Sequence, residues 1–323
     1  MKINIYTLQK QMLSLLSQKG FSHSEAKILT KAYWNAELEG KTTHGISRFC
    51  WDIHNFYSGR KPKISIDKKA VALIDGQEAP GPLVADYASD LLIKRAKHYG
   101  IALIGIKNMT QYGSLGEWTE KIAKAGLIGL LTNSCQPAAA PFGGVSKILG
   151  TNPISISVPS DENPIVLDMS TSEVPMGLIW HCLETETKLP EDTFYDEDGK
   201  FTTDPKKAKS VKIFGGYKGY GLSFMLQILS GSLVTAFMGN KIKNAYDIGY
   251  LFLAIDPNFF QNLDKFNNEN EKFIKQIKNC KKDSNTSHIY IPGEKSLKNK
   301  KMALKNTMID IPESVWLKLN KYL

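Results

Sequence analysis

From Ala70 onward the hydrophobic pattern switches repeatedly between strand and helix periods, and this constrains the fold more than any other feature. VALID leads into a turn through Gly76 and Pro80-Gly81-Pro82, followed by ADYASDLLIKRAKHYG, IALIGIKN, SLGEWTEKIAKAG closed by Gly126, and LIGLLTNS. The short apolar runs read as buried strands, and the segments between them carry apolar residues at helical spacing. Strands alternating with helices specify an α/β architecture whose mixed sheet includes some parallel pairing. Ahead of it, residues 1–65 read as a helical N-terminal unit. Residues 7–19 form one helix with Thr7 as N-cap and Gly20 beyond its end. Ser22 or Ser24 opens a second helix through Leu38, and a third runs from His44 to Tyr57 before Gly59. Residues 66–294 form the α/β region, and residues 295–323 are expected to pack with the N-terminal unit. Farther along, a helix starts within Met176–Cys182, and 189–205 is an irregular excursion. A glycine-rich loop at Gly215 feeds an apolar helix, IGYLFLAIDP is a strand, and Asn258–Cys280 is a helix. Pro292-Gly293-Glu294 is a turn, and IPESVWLKLNKYL is a short amphipathic helix.

Bulk properties exclude several classes. With no apolar run of about 18 residues there is no membrane span, and MKINIYTLQKQ lacks an apolar signal core, which reads as cytoplasmic. Four cysteines without CxxC spacing argue against a zinc site and a disulfide framework. The net charge of +9 lies largely in Lys272–Lys282 and Lys295–Lys305. Arginine is scarce there and aromatic interleaving is missing, so a solvated surface explains the charge better than a nucleic-acid groove.

The segment from Pro141 to Ser172 is the candidate ligand site. Gly143-Gly144 and Gly150-Thr151-Asn152-Pro153 precede the apolar runs 154–158 and 165–167, and the second run ends in Asp168-Met169-Ser170-Thr171-Ser172. Glycines admit close backbone approach, and small hydroxyl and amide groups suit phosphate or ribose oxygens. The same residues would also serve two ordinary β-turns. Asp168 can accept from a ribose hydroxyl or cap the following turn. Lys218, in GGYKGYG ahead of a helix, suits phosphate or belongs to a solvated loop. No GxGxxG follows a strand. In THGISRF, His44 and Arg48 at i, i+4 would share one helix face. An imidazole can pass a proton to a carbonyl while a guanidinium grips a carboxylate, a pairing suited to a 2-oxo acid.

These motifs, in this order, resemble the type-2 malate/L-lactate dehydrogenase family. The likeness runs through AELEGKTTHGISRF, AKAGLIGLLTNS, GTNPISISVP, VLDMSTS, GGYKGYGLSFMLQILSG, FLAIDPNFF and IPGE. It implies a non-Rossmann α/β fold that binds NAD or NADP and works as a homodimer. By position it makes His44 the acid/base group and Arg48 the carboxylate ligand. It assigns Gly150, Thr151, Asn152, Asp168, Met169, Ser170, Thr171, Ser172, Lys218, Gly219, Pro292, Gly293 and Glu294 to the cofactor, with no metal. The reaction implied is hydride transfer between nicotinamide and C2 of a small 2-hydroxy or 2-oxo acid. The chain departs from the family pattern at Met109 and at Gln111, which replaces a second site histidine. It departs again at Leu178, in place of a lysine, and at Tyr290, in place of a basic residue, while Cys135 falls near a hydroxyl position. Gln111 can hold a substrate oxygen but cannot carry a proton near neutrality. Three readings stay open: a reductase relying on His44 alone, a reductase of cyclic imine carboxylates, and a binding protein that has lost turnover.

Overall fold

The computed structural model describes residues 1–320. In chain order the elements are β1 (Lys2–Asn4), α1 (Ile5–Gln18), α2 (His23–Leu38), α3 (Ile46–Asp52), β2 (Lys63–Lys68), β3 (Val71–Asp75), α4 (Gly81–Tyr99), β4 (Ile101–Lys107), α5 (Leu115–Lys124), β5 (Ile128–Asn133), β6 (Ala139–Ala140), β7 (Ile154–Val158), β8 (Ile165–Met169), α6 (Gly177–Thr185), β9 (Phe194–Tyr195), β10 (Ser210–Lys212), α7 (Tyr217–Ser230), β11 (Tyr250–Ile255), α8 (Leu263–Asn279), α9 (Glu294–Asn306), β12 (Met308–Asp310) and α10 (Glu313–Asn320).

Seven strands make one sheet in the order β2-β3-β4-β11-β5-β7-β8. Only β3 and β4 run parallel in it, and the crossover this pairing requires is α4. The other neighbours are antiparallel. The centre belongs to β11, which pairs along its whole length with β4 on one side and β5 on the other. Its sequence, YLFLAI, is apolar at every position, as a strand covered on both faces must be. A small sheet of β6, β10 and β9 stands beside the large one, and β1 pairs with β12.

One core runs from Leu8, Leu16, Leu29 and Phe49 on the N-terminal helices to Ile104, Leu131 and Phe252 on the sheet, and takes in Ile311, Val315 and Leu319 near the C-terminus. A second, smaller core gathers Leu149, Ile179, Phe194, Val211 and Ile213 around α6 and the small sheet. The two chain ends meet where the Met1 amino group donates to the Ile311 carbonyl at 2.8 Å.

The helix starts follow local chemistry. The α1 helix is capped by Asn4, whose side chain accepts from the Tyr6 and Thr7 amides, so Thr7 lies inside the first turn and is not the cap. Ser22 opens α2 in a reciprocal capping box with Glu25. The region from Asn258 begins as a 3-10 turn over Pro257–Phe259, and α8 itself starts at Leu263.

Candidate active site

The segment that carries His44 and Arg48 is not one helix. After α2 the chain makes a 3-10 turn over Thr42–His44, and Gly45, at φ −88° and ψ −134°, breaks the helical path before α3 begins at Ile46. His44 and Arg48 therefore belong to two separate helical segments rather than one continuous face. Glu37 is the physical reason. Its buried carboxylate reaches across the turn to accept the Ile46 amide at 2.8 Å, and a Cβ at position 45 would run into that carboxylate. Burial pushes the Glu37 carboxyl up to about 7, with the Ile46 N–H acting the other way.

Arg48 is held by Asp52 along one edge: Nε donates to Oδ2 at 2.9 Å, and a terminal nitrogen sits 2.8 Å from Oδ1. The Tyr33 hydroxyl donates to the same Oδ2 at 2.8 Å. Burial pushes the Asp52 carboxyl up, and the Arg48 charge is the main force opposing it. The guanidinium is thus fixed from behind, and its far edge keeps the donor geometry for a second carboxylate.

His44 lies between charges of both signs. Its Nδ1 is 3.0 Å from the Thr43 hydroxyl. The imidazole reaches solvent, yet the protein packed around it costs it hydration and lowers its pKa below the ordinary histidine value. Asp168 pulls the pKa up, while Arg48 and Lys41 push it down. Asp168, from edge strand β8, accepts with Oδ2 from Lys41 Nζ at 2.7 Å, Ser114 Oγ at 2.7 Å and the Gly116 amide at 3.2 Å. Burial works against its charge, but Lys41 overrides this and holds the carboxyl below the usual range. Glu39 flanks Lys41 on its other side at 3.2 Å.

The cofactor candidates divide by what surrounds them. Asn152 is fully buried: Oδ1 accepts from the Cys135 amide at 3.2 Å, and Nδ2 lies within reach of the Ser223 carbonyl, Ser223 Oγ and Gln227 Oε1. Its amide joins the loop after β5 to α7. A Cβ at Gly150 would come within 2.6 Å of Cys135 and of Asn152 Oδ1. Thr171 is also buried and donates through Oγ1 to the Thr151 carbonyl at 2.9 Å. Ser170 and Ser172 bond each other through their hydroxyls at 3.0 Å, and Met169 is half-buried at the end of β8.

Lys218 is exposed in the first turn of α7, which has neither a side-chain cap nor an acidic residue there. A Cβ at Gly219 would strike the Phe214 carbonyl, so only glycine lets α7 start this close to the loop before it. Free first-turn amides, the positive end of a 14-residue helix and an exposed ammonium make a donor set that fits a pyrophosphate. On the outer edge of β8, the Val166 amide donates to the Pro292 carbonyl at 3.3 Å. Gly293 has φ +85° and sits against Val166. Glu294 opens α9 and accepts from the Ile291 amide, Lys278 and His288. Those donors outweigh its partial burial and draw its carboxyl down to about 2.

Gln111 is half-buried in the turn between β4 and α5. Met109 is fully buried in the main core, and Leu178 packs on the small one. Tyr290 stacks edge-on with His288 at 4.5 Å, with Lys295 over its ring. Sequence reasoning missed Glu37, Lys41, Tyr33, Asp52 and Ser114. Charged residues of the AELEGKTTHG stretch look solvated in one dimension, and their burial becomes visible only when α2, α3, α5 and β8 converge.

A model of the malate/L-lactate dehydrogenase family matches residues 3–320. The chain belongs to this family. Malate/(S)-sulfolactate dehydrogenase of Methanothermus fervidus is 37% identical over 301 residues, covering 89% of this chain and 87% of that protein. Ureidoglycolate dehydrogenase (NAD(+)) of Escherichia coli is 26% identical over 330 residues, covering 98% and 94%. The solved structure of sulfolactate dehydrogenase from Methanocaldococcus jannaschii superposes with a TM-score of 0.90 at 33% identity, covering all of this chain and 96% of that one. The mixed sheet and its helices are thus those of malate/L-lactate dehydrogenases, and membership makes the chain an oxidoreductase acting on small acids. Among the described residues no helix is long and apolar enough to cross a membrane.

Proposed function

We propose that this malate/L-lactate dehydrogenase family member transfers a hydride between NAD or NADP and C2 of a small 2-hydroxy or 2-oxo acid. The observation that carries the reading is the pairing of His44, kept toward its neutral form, with Arg48, whose guanidinium is fixed along one edge by Asp52. Arg48 binds the substrate carboxylate with its outer edge and so orients C2. His44 exchanges a proton with the substrate oxygen, accepting it as the alcohol is oxidised and returning it as the ketone is reduced. An imidazole that is mostly neutral at pH 7 is ready to accept in the first direction.

The bound nicotinamide supplies the hydride donor or acceptor. Lys218, the first turn of α7 and Gly219 would hold its pyrophosphate. Asp168 to Ser172 continue from the end of β8 and Pro292 to Glu294 lie along its outer edge, where the rest of the cofactor would lie. Gln111 holds a substrate oxygen or the carboxamide by hydrogen bonding. Two copies are expected to associate through the exposed apolar residues Phe224, Met225, Leu233 and Phe237, on α7 and the turns after it.

The test is titration of the purified protein with NADH and with NADPH, followed by nicotinamide fluorescence, then a panel of 2-oxo acids with whichever binds. Saturable binding of one, followed by turnover, is expected. Folded protein that binds neither would overturn the reading.

A further inference from the structure

Lys41 was not among the residues singled out by motif, yet its ammonium is held by three partners three residues before His44. Its Nζ donates to Asp168 Oδ2 at 2.7 Å and to Ser114 Oγ at 2.9 Å, and lies 3.2 Å from Glu39 Oε2. Glu39 is held in turn by Lys300 of α9, 3.4 Å from its other oxygen, while Asn299 donates to the Glu39 carbonyl at 3.1 Å. The ammonium is therefore fixed from two sides, by β8 and by the end of α2, and is only 23% exposed. Burial works against its charge, and Asp168 followed by Glu39 more than restores it.

The charged groups acting on His44 are Asp168 from β8, Arg48 from α3 and Lys41 from the turn after α2. Of these only Asp168 favours the imidazolium. Resting on the reading of His44 as the proton-exchanging group, we propose that Lys41 is a positioning residue for the reaction: its carbonyl accepts the His44 amide at 2.9 Å, while its ammonium anchors the Asp168 carboxylate and offsets that charge beside the imidazole. The same clamp ties the acid/base turn to the strand that carries Asp168, so the two halves of the site keep one spacing.

The test reads the His44 titration directly, by NMR of histidine-labelled protein, with the signal assigned by its loss in His44→Ala. The pH dependence of kcat/KM for 2-hydroxy acid oxidation is measured beside it. In Lys41→Met the lone Asp168 charge is expected to move both the imidazole titration and the acid limb of the profile upward by about one pH unit. Lys41→Arg, which keeps the charge, should restore both to within a few tenths. Lys41→Met combined with Asp168→Asn leaves no uncompensated charge, so it keeps the test open should the single variant fail to fold. Its His44 signal is expected at or below the wild-type midpoint. A folded Lys41→Met protein with an unmoved His44 titration, or a double variant titrating above wild type, would overturn the proposal. If wild type turns over with no limb matching the His44 titration, the assignment of His44 fails instead, so the two failures are told apart.

Discussion

Glu37 offers the sharpest quantitative test of this architecture. Its carboxyl titrates near 7 in the folded protein against an ordinary value of 4.5, and that separation corresponds to about 3 kcal/mol. The sign follows from proton counting. Between the two values the folded chain holds a proton that the unfolded chain has released, so stability falls as pH rises from about 4.5 to about 7, and is level beyond. Glu37→Gln removes the titration while keeping a side-chain oxygen for the Ile46 amide. At pH 5 most of that loss is still to come, so the variant and wild type should melt within about 1 °C of each other. At pH 8 the variant should be more stable by up to about 3 kcal/mol. With an unfolding entropy near 2.1 cal/mol/K per residue over 323 residues, that is a Tm gain of roughly 4 °C. Calorimetry at fixed protein concentration from pH 5 to 8.5 measures it. A Tm difference that stays constant over that range would refute the claim that a buried, proton-holding carboxyl braces the turn.

Four further outcomes are expected. His44→Ala should lower kcat on the order of 10²–10⁴-fold with nicotinamide affinity nearly unchanged, read by steady-state kinetics beside fluorescence titration. Arg48→Lys loses the fork that holds Asp52 and, on the proposed role, the substrate carboxylate, so KM for the acid should rise at least about tenfold, measured across chain-length variants of a 2-oxo acid. Lys218→Ala, at an exposed position, should weaken NAD(P)H binding about tenfold without moving Tm. Asn152→Ala removes hydrogen bonds joining three segments and leaves a non-glycine residue at φ +28°. Urea unfolding should show a loss of about 2–4 kcal/mol.

Local periodicity revealed the elements that bury an apolar face, and concealed those that do not. IALIGIKN, LIGLLTNS and IGYLFLAIDP became β4, β5 and β11, because strands buried in the sheet must be apolar. KISIDK, by contrast, is mostly exposed at the sheet edge as β2, and α9 has no buried residue, so neither left a hydrophobic signature to read. In the candidate site, His44 and Arg48 were readable as candidates because their chemistry is scarce. Their geometry was not, since the break at Gly45 depends on Glu37 folding back from the preceding helix. Asn152 was legible as a special position, but the partners of its amide, on α7, lie some seventy residues along the chain. Asp52 and Lys41 depend on burial, which no short window of sequence encodes.

The central place of β11 has a consequence for synthesis. Residues 134–249 separate it from β5, so at about 5–20 residues per second the ribosome needs on the order of ten seconds to deliver the missing middle strand. Throughout that interval β4 and β5 each offer an unpaired, apolar edge to any strand that arrives first, whether from the same chain or a neighbouring one. The late arrival of YLFLAI makes the nascent chain dependent on prompt completion: a product truncated before Tyr250 lacks the strand that joins the two halves of its sheet, and is expected to aggregate rather than persist as a soluble fragment.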